Sequence, residues 1–382
     1  MTISLVFSCL TVGSLLLTSM AVVIVRRLAP RVGLVDDPAA GTYKTHTEAT
    51  PYGGGVAIWI GVMLPLAAMF CWVSTSGAGV YHDGLSWVDP MAPFLLFPLE
   101  SWSPTIAQVS QVVAAVAAAS VLFLLGLADD CRALPAGPRF GVQLAVAALL
   151  VGVVPGFQLE LIDGQQIINA AISVGWIVAL ANAFNFLDNM NGLAAGLGAI
   201  TIGTCGTIAI LAQHVPAAVL CLVVLGACCG FLLFNFPRAS IFMGDAGGLF
   251  LGFLGGALSI LLANRLAAAE QTNMLPYELI PLILFAVPMY DLVTVVSLRL
   301  YRGLAPWAGD TNHISHRLVA AGLTRVRAVL AIYVLCMWVG FGCIAALRAD
   351  PTAVWTTLSA VPATILLFGL MDLALARRAT SP

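Results

Sequence analysis

Long apolar segments dominate this chain, and they limit its fold more than any other feature. A helix that crosses a bilayer needs about 20 apolar residues, and about eleven such segments can be marked. They lie at approximately 4–25, 54–72, 105–127, 140–155, 167–187, 193–213, 216–234, 247–263, 277–297, 327–347 and 354–375. Charged residues make up only 9% of the chain, against about 25% in soluble proteins. The sequence therefore predicts an all-α, polytopic bundle of about eleven transmembrane helices, forming a single integral-membrane domain over residues 1–382.

The distribution of positive charge predicts which helix ends face the cytoplasm. Loops on the cytoplasmic side carry more Lys and Arg than loops outside. With an external N-terminus, fourteen of the 16 Lys and Arg residues fall on one side, and only Arg265 and Arg348 on the other. We therefore expect an external N-terminus and a cytoplasmic C-terminus. The net charge of −2 provides no basic surface of the kind that binds nucleic acid.

A polar stretch, Asn182 to Gly192, separates two of the apolar segments. Asn182, Asn185 and Asn189 are three and four residues apart, so on a helix they would share one face. Asp188 lies beside that stripe, and Gly192 allows the backbone to turn. Polar residues at membrane depth are costly and usually functional, so we interpret this stretch as the end of a buried helix that enters a polar site. Hydrogen bonding between helices is the alternative.

The first two predicted cytoplasmic loops combine basic, acidic and glycine-rich motifs. Lys44 and His46 indicate an anion site, and they precede a Thr-Pro-x-x-Gly-Gly motif at 50–55 whose glycines allow close backbone approach. Asp129 and Asp130 follow the third apolar segment. Adjacent carboxylates repel unless a cation or a proton lies between them. Solvated loops without a ligand are the alternative for both motifs.

The last two predicted cytoplasmic loops suggest a cation and a phosphate. Asp245 lies among glycines just before a predicted helix, where its carboxylate suits a hard cation such as Mg²⁺; an N-cap role is the alternative. The final loop holds basic residues that suit phosphate, namely Arg302, His313, His316 and Arg317. The His-x-x-His pair also fits a metal site, but no third His or Cys lies nearby in the sequence.

In order and spacing, these motifs resemble those of the polyprenyl-phosphate N-acetylhexosamine-1-phosphate transferases, bacterial membrane enzymes of cell-envelope glycan synthesis. The matching segments are Gly33–Asp36, Lys44–His46, Thr50–Gly55, Leu127–Asp130, Asn182–Leu193, Asn235–Gly247, Pro288–Asp291, Arg302–Gly303 and Asp310–Arg317. The resemblance implies a multi-pass protein of the bacterial inner membrane with its active site on the cytoplasmic face. It also implies a reaction in which a polyprenyl phosphate, such as undecaprenyl phosphate, attacks the β-phosphorus of a UDP-N-acetylhexosamine and releases UMP.

The resemblance further implies roles for individual residues. The metal ion would be Mg²⁺, with Mn²⁺ as the alternative, and its ligands would be Asp245 and Asp188. The candidate catalytic residues are Asp129, Asp130, Asp188 and His313, and the choice of base among the aspartates stays open. The candidate substrate-binding residues are Lys44, His46, Asn182, Asn185, Arg302, His316 and Arg317. Membrane lipid surrounds the protein, and assembly into a homodimer stays open.

The chain departs from the usual family pattern at three positions. Asn191 stands where an aspartate is common, Ser315 where a histidine is common, and Thr311 where an arginine is common. An asparagine donates and accepts hydrogen bonds but cannot act as a base. We therefore give Asn191 no base role, and we still expect activity from the remaining aspartates.

Two branches of the family and one unrelated class fit these features. The motif at 50–55 and the His313-x-x-His316 spacing resemble the branch that transfers N-acetylglucosamine-1-phosphate and starts teichoic-acid, O-antigen and related glycans. The branch that transfers phospho-N-acetylmuramoyl-pentapeptide typically has three consecutive histidines. A secondary transporter also has polar residues in broken helices, but near the bilayer midplane, whereas these cluster at one face. We therefore expect transfer of N-acetylglucosamine-1-phosphate.

Overall fold

The computed structural model describes residues 3–36, 49–76, 105–269 and 279–348, together with positions 359 and 369. The described strands, β1 (Val35–Asp36) and β2 (Thr50–Pro51), form one antiparallel pair. The helices are α1 (Ile3–Leu28), α2 (Gly54–Ser76), α3 (Ile106–Cys131), α4 (Ala136–Val153), α5 (Gln166–Leu187), α6 (Leu193–Leu211), α7 (Val215–Asn235), α8 (Gly244–Ala269), α9 (Ile280–Leu284), α10 (Ala286–Tyr301), α11 (Ile314–Ala320) and α12 (Arg325–Arg348).

Long apolar helices form most of the described chain. Among the described residues, nine helices are long and apolar enough to cross a membrane: α1 to α8 and α12. Predicted boundaries agree closely, since the segments at 167–187 and 216–234 are observed as Gln166–Leu187 and Val215–Asn235. The prediction of an all-α polytopic membrane protein is confirmed. The predicted span at 354–375 lies almost wholly outside the described residues.

The predicted span at 277–297 is wrong as a single helix. It is divided into α9 and α10, which meet at Phe285. Pro288 gives the physical reason, because a proline lacks the N–H that would continue the helix and its ring clashes with the carbonyl four residues earlier, that of Leu284. The break gives α10 a new start, and α10 carries the fully buried Asp291.

Helix α8 lies at the centre of the bundle. Its membrane-crossing stretch is wholly buried, and it packs against α2, α3, α5 and α6. A helix that is apolar on every side is expected to be buried in this way. A Cβ on Gly248 would lie 2.8 Å from the Asn185 Cα, and one on Gly252 would lie 2.3 Å from the Leu180 carbonyl oxygen. These small residues bring the first turns of α8 against the end of α5.

Hydrogen bonds between loops bring the polar motifs together at one end of the bundle. The amide of Phe242, ahead of α8, donates to the Pro51 carbonyl at 2.8 Å. The Ser315 hydroxyl, at the start of α11, donates to Asn189 after α5 at 2.6 Å. Asp130, at the end of α3, reaches the start of α8. The predicted gathering of the polar loops is therefore observed for their described parts.

Candidate active site

The start of α8 is the centre of the polar site. Asp130 accepts hydrogen bonds from the backbone amides of Asp245 and Ala246 at 2.8 and 3.1 Å. The first amides of a helix have no partner within it and carry partial positive charge, so the carboxylate satisfies them from another helix. Gly244 has a φ of 78°, and a Cβ there would lie 2.5 Å from a carboxylate oxygen of Asp130. This position therefore requires glycine.

Asp129, Asp245 and Arg139 form a contact cluster beside that helix start. Nη1 of Arg139 donates to Asp245 Oδ2 at 2.7 Å and also contacts Asp129. The positive charge thus lies between two carboxylates that would otherwise repel. The Asp245 side chain is 32% exposed and that of Asp129 only 9%, so Asp245 is the more accessible to a ligand. Arg139, in the first turn of α4, was not among the predicted site residues, although the predicted loop that begins with the aspartate pair contains it.

The end of α5 brings Asp188 and Asn185 to the same cluster. Asp188 directly follows α5, and its Oδ2 accepts from the Gly244 amide at 3.3 Å. The Asn185 side chain lies beside the Asp245 carboxylate. Burial raises the pKa of Asp188 well above its ordinary value; the Gly244 hydrogen bond opposes this, and the charges of Asp245 and Asp130 add to it. A nearby positive charge would stabilise the ionised form of a buried carboxylate such as Asp188.

The predicted stripe of asparagines is only partly observed. Asn182 donates to Gln143 Oε1 at 2.6 Å and to the Val178 carbonyl at 2.8 Å. Its amide therefore joins helices, which is the alternative that the sequence left open. Helix α5 ends at Leu187, so Asn189 lies beyond the helix and off the predicted face. Substrate binding by Asn182 stays a prediction.

The strand pair lies beside the carboxylates. Tyr52, just after β2, hydrogen-bonds Asp36. Burial raises the pKa of Tyr52, and the charges of Asp36, Asp130 and Asp188 raise it further. Tyr52 was not among the predicted site residues, because it occupies a variable position of its motif. Lys44 and His46 belong to the segment between the strands and lie outside the described residues, so their roles stay predictions.

His313 is held by a buried carboxylate on α10. Its Nδ1 lies 2.7 Å from Oδ2 of Asp291, and Oδ1 of the same carboxylate accepts from the Ile314 amide at 2.7 Å. The ring of Phe186 meets the His313 ring edge-on at 6.0 Å between centroids. The described structure therefore joins this loop to the end of α5. Asp291 was part of a matching motif, but the sequence alone gave it no role.

Arg299 and Asp310 brace the same loop. Nε of Arg299 donates to Asp310 Oδ2 at 3.0 Å, and its Nη1 donates to the Pro306 carbonyl at 2.6 Å. The guanidinium carbon lies 4.8 Å from the centroid of the Phe186 ring. Burial would raise the pKa of Asp310, but hydrogen bonds from Arg299 and Asn312 hold it below its ordinary value. Arg299 is thus committed to shaping the loop.

The predicted phosphate-binding residues of this loop differ in how far they are exposed to solvent. Arg302 is exposed, and its Nη1 donates to Asn312 Oδ1 at 3.2 Å. His316 is half-buried; burial lowers its pKa, and the charges of His313 and a nearby arginine lower it further, so it is largely neutral at pH 7. Arg317 is buried and donates to the Asn312 carbonyl at 2.9 Å. Arg302 and His316 are therefore better placed to meet a phosphate than Arg317.

Two of the three departures from the family pattern form links between loops. Ser315 donates to Asn189, and Nδ2 of Asn191 donates to the Pro237 carbonyl at 3.3 Å. Thr311 is exposed. The residues found at 191 and 315 therefore hold loops together in this chain.

The donor set suits a hard cation. Asp245 and Asp188 offer carboxylate oxygens, and Asn185 offers an amide oxygen. Within the described residues, no group of three or more His, Cys, Asp or Glu side chains is arranged as a complete protein-only metal site. Mg²⁺ usually takes only one or two carboxylates from the protein and completes its shell with water and substrate phosphates. By donor chemistry the residues present fit Mg²⁺.

Comparison with known proteins agrees with this arrangement. Residues 112–263 match glycosyl transferase family 4. The chain is 31% identical, over 84% of its length and 80% of the relative's, to the probable undecaprenyl-phosphate N-acetylglucosaminyl 1-phosphate transferase of Bacillus subtilis (strain 168). It is 32% identical, over 86% of its length and 79% of the relative's, to the decaprenyl-phosphate N-acetylglucosaminephosphotransferase of Mycolicibacterium smegmatis.

A more distant relative matches over a similar extent. The undecaprenyl-phosphate alpha-N-acetylglucosaminyl 1-phosphate transferase of Escherichia coli (strain K12) is 26% identical over 83% of this chain and 77% of its own length. The matches extend well beyond the segments that carry the motifs. The family predicted from those motifs is confirmed: the chain belongs to the polyprenyl-phosphate N-acetylhexosamine-1-phosphate transferases, within glycosyl transferase family 4.

Proposed function

We propose that this chain transfers N-acetylglucosamine-1-phosphate from UDP-N-acetylglucosamine to undecaprenyl phosphate and releases UMP. The observation that carries the proposal is the meeting of acidic motifs from α3, the α5–α6 turn and α8 around one helix start. The relatives described above are named for transfer of N-acetylglucosamine phosphate to a polyprenyl phosphate. Their names support this donor over the muramoyl-pentapeptide donor and over a transporter. The product would be the first lipid-linked intermediate of an envelope glycan.

The chemistry brings two anionic reactants together. An oxygen of the lipid phosphate bonds to the β-phosphorus of the donor, and the bond from that phosphorus to the oxygen bridging the α-phosphate breaks, so UMP leaves. Such transfers depend on positioning and on neutralisation of charge. A phosphate monoester has a second pKa of about 6, so the acceptor is largely deprotonated at pH 7. Neutralisation therefore contributes more than proton removal does.

The residues of the site divide into those that meet ligand and those that hold them. Asp245 and Asp188 would hold Mg²⁺, with Mn²⁺ as the alternative, and the ion would supply positive charge at the donor diphosphate. Both oxygens of Asp130 already accept backbone hydrogen bonds, so we assign it the role of fixing the start of α8. The single positive charge of Arg139 is shared between Asp129 and Asp245. Among the aspartates, Asp129 and Asp188 remain candidates for the base.

Charge also suggests the side of the membrane. In the topology predicted from the sequence, fourteen of the 16 Lys and Arg residues lie on the side that carries the polar motifs, and the positive-inside rule places that side in the cytoplasm. Nucleotide sugars are found there, and a lipid phosphate would reach the same level from the inner leaflet. We therefore propose a site at the cytoplasmic face of the bacterial inner membrane, with the start of α1 outside.

A cysteine-labelling experiment tests this orientation. In a background with the exposed Cys9, Cys71 and Cys131 replaced by alanine, we expect Asp163→Cys to react with an impermeant thiol reagent in intact cells. Asp163 is exposed in the α4–α5 loop, whereas Arg238 is exposed in the α7–α8 loop at the other end. Arg238→Cys should therefore react only after permeabilisation. The reverse pattern would place the site outside and exclude a cytoplasmic nucleotide sugar.

A reconstituted assay tests the reaction. Detergent-purified protein with undecaprenyl phosphate, Mg²⁺ and UDP-N-acetylglucosamine should release UMP in proportion to the lipid consumed, because the proposed step produces both together. Chelation with EDTA should stop the release and excess Mg²⁺ should restore it, since clustered carboxylates and phosphates need a cation.

Matched reactions give the outcomes that would contradict the proposal. Release without the lipid acceptor would indicate hydrolysis rather than transfer. Release only with the UDP-linked muramoyl-pentapeptide would assign the chain to the other branch. No release with any donor, from protein that unfolds cooperatively on heating, would leave a transporter as the favoured class.

A further inference from the structure

We propose that Asp291 is a positioning residue for the transfer reaction and acts through His313. It holds the imidazole with Nδ1 as the hydrogen-bond donor, so that Nε2 is the nitrogen left for substrate. The inference rests on the proposed function, because it assigns His313 to that reaction. Neither the motif that contains Asp291 nor the family resemblance implied a role for it.

The burial of Asp291 makes its partners significant. The residue is 0% exposed and lies on α10, near the break at Phe285. A buried carboxylate is costly unless donors satisfy its oxygens. Here each oxygen has one close donor, namely Nδ1 of His313 and the Ile314 amide, both at 2.7 Å. The carboxylate therefore fixes the side chain of one residue and the backbone of the next.

The hydrogen bond determines which ring nitrogen carries a proton. In this proposal Nδ1 of His313 is the donor and Oδ2 of Asp291 the acceptor, because a carboxylate oxygen without a proton can only accept a hydrogen bond. Nε2 then faces away from Asp291 and lies 3.9 Å from Asp310 Oδ1, beyond hydrogen-bond distance. Asp310 is itself occupied by Arg299. A carboxylate that orients an imidazole and fixes its tautomer is a known way to prepare a histidine for catalysis.

The same loop is held against the end of α5. Phe186 contacts the His313 ring and also lies beneath the Arg299 guanidinium. Two residues later along the start of α11, Ser315 donates to Asn189 at 2.6 Å. Since α5 ends next to Asp188, these contacts set the position of His313 relative to Asp188 and the neighbouring contact cluster. Loss of the Asp291 contact should therefore alter catalysis more than folding.

A double-mutant cycle separates positioning from a purely structural role. Asp291→Asn keeps an oxygen for the Ile314 amide but removes the charge that selects the His313 tautomer. We expect Asp291→Asn and His313→Ala each to lower kcat/KM for UDP-N-acetylglucosamine by at least about tenfold, equivalent to about 1.4 kcal/mol. If Asp291 acts only through His313, the double variant should be no slower than His313→Ala alone.

Other outcomes would overturn the proposal. Losses that multiply in the double variant would mean that Asp291 acts independently of His313. Normal rates in either single variant would mean that the contact between Asp291 and His313 only holds α10 and α11 together. Asp163→Asn, in the exposed α4–α5 loop, serves as the control for an unrelated aspartate. Failure of that control and of all UMP release would instead implicate the proposed function itself.

A measurement on the wild-type protein covers the case in which Asp291→Asn does not fold. The chain has 5 histidines, so ¹⁵N-histidine labelling gives a small set of ring signals, and His313→Gln identifies one of them. We expect the His313 signals to show a protonated Nδ1 and a change at Nε2 when UMP is added. An unprotonated Nδ1, or ring signals that UMP leaves unchanged, would remove Asp291 from the positioning role.

Discussion

Replacing Asp245 by asparagine is expected to reduce UMP release by at least about 1,000-fold, equivalent to about 4 kcal/mol of transition-state stabilisation. The change keeps the shape of the side chain but removes the negative oxygen that a hard cation needs. Asp245 is the more exposed member of the contact cluster, and Asn185 and Arg139 both point to it. Initial rates over a Mg²⁺ titration would measure the loss.

The surrounding contacts make this substitution interpretable. In Asp245→Asn, Arg139 keeps its ion pair with Asp129, and the backbone amide at 245 keeps its bond to Asp130. Thermal unfolding in detergent should therefore change little. Asp163→Asn, on an exposed loop at the opposite end of the bundle, should retain full activity. A rate for Asp245→Asn within about tenfold of wild type at ordinary Mg²⁺ would remove Asp245 from the proposed metal ligands.

The membrane architecture could be predicted because hydrocarbon imposes one dominant requirement. A spanning segment must satisfy its own backbone, so runs of apolar residues become helices almost irrespective of their detailed composition. Helix α5 illustrates this, since its predicted and observed limits differ by one residue at the N-terminal end. The span that failed is the one at 277–297, where overall apolarity outweighed the local effect of Pro288 in the prediction. A proline in that position should have been given more weight.

The composition of the site was more predictable than the division of labour within it. Asp188, Asn185 and Asp245 could be grouped from motifs, and the structure places them together. The two residues of the Asp129–Asp130 pair looked equivalent in sequence, yet one meets Arg139 and the other satisfies the start of α8. That difference depends on a contact across 115 residues, which no local pattern contains.

The loop before α11 shows a second limit. His313 and Arg317 were predicted as phosphate-binding residues because three arginines and two histidines lie close together in one loop. Both are buried, because Asp291 and the Asn312 carbonyl supply acceptors inside the protein. The acceptor for His313 comes from α10, which periodicity within the loop cannot indicate, so the inward orientation of His313 could not be derived from the sequence. Because they are buried, the side chains of His313 and Arg317 contribute to the internal contacts that hold the loop in place.

Gly244→Ala is expected to lower UMP release by at least about 100-fold, equivalent to about 2.7 kcal/mol. An alanine at a φ of 78° costs about 1–2 kcal/mol of backbone strain. The new methyl would also lie 2.5 Å from Asp130 Oδ2, so the carboxylate and the start of α8 must separate. The side chain of Asp245 would then lose its present relation to Asp188 and Arg139. Activity and thermal unfolding measured on the same preparation would test this expectation.

Gly164→Ala separates the effect of displacement from that of strain. Gly164 has a similar φ of 71°, but a Cβ there would meet nothing within 4 Å. The residue lies in the α4–α5 loop, at the opposite end of the bundle from Asp130 and Asp245. Both variants carry the backbone cost, whereas only Gly244→Ala pushes Asp130 away from the helix amides. We therefore expect both variants to lose thermal stability, Gly244→Ala the more of the two, and Gly164→Ala to keep a rate within about twofold of wild type, because ordinary strain need not alter transition-state stabilisation. Equal losses of rate in the two variants would show that backbone strain, and not the bond between Asp130 and α8, limits catalysis.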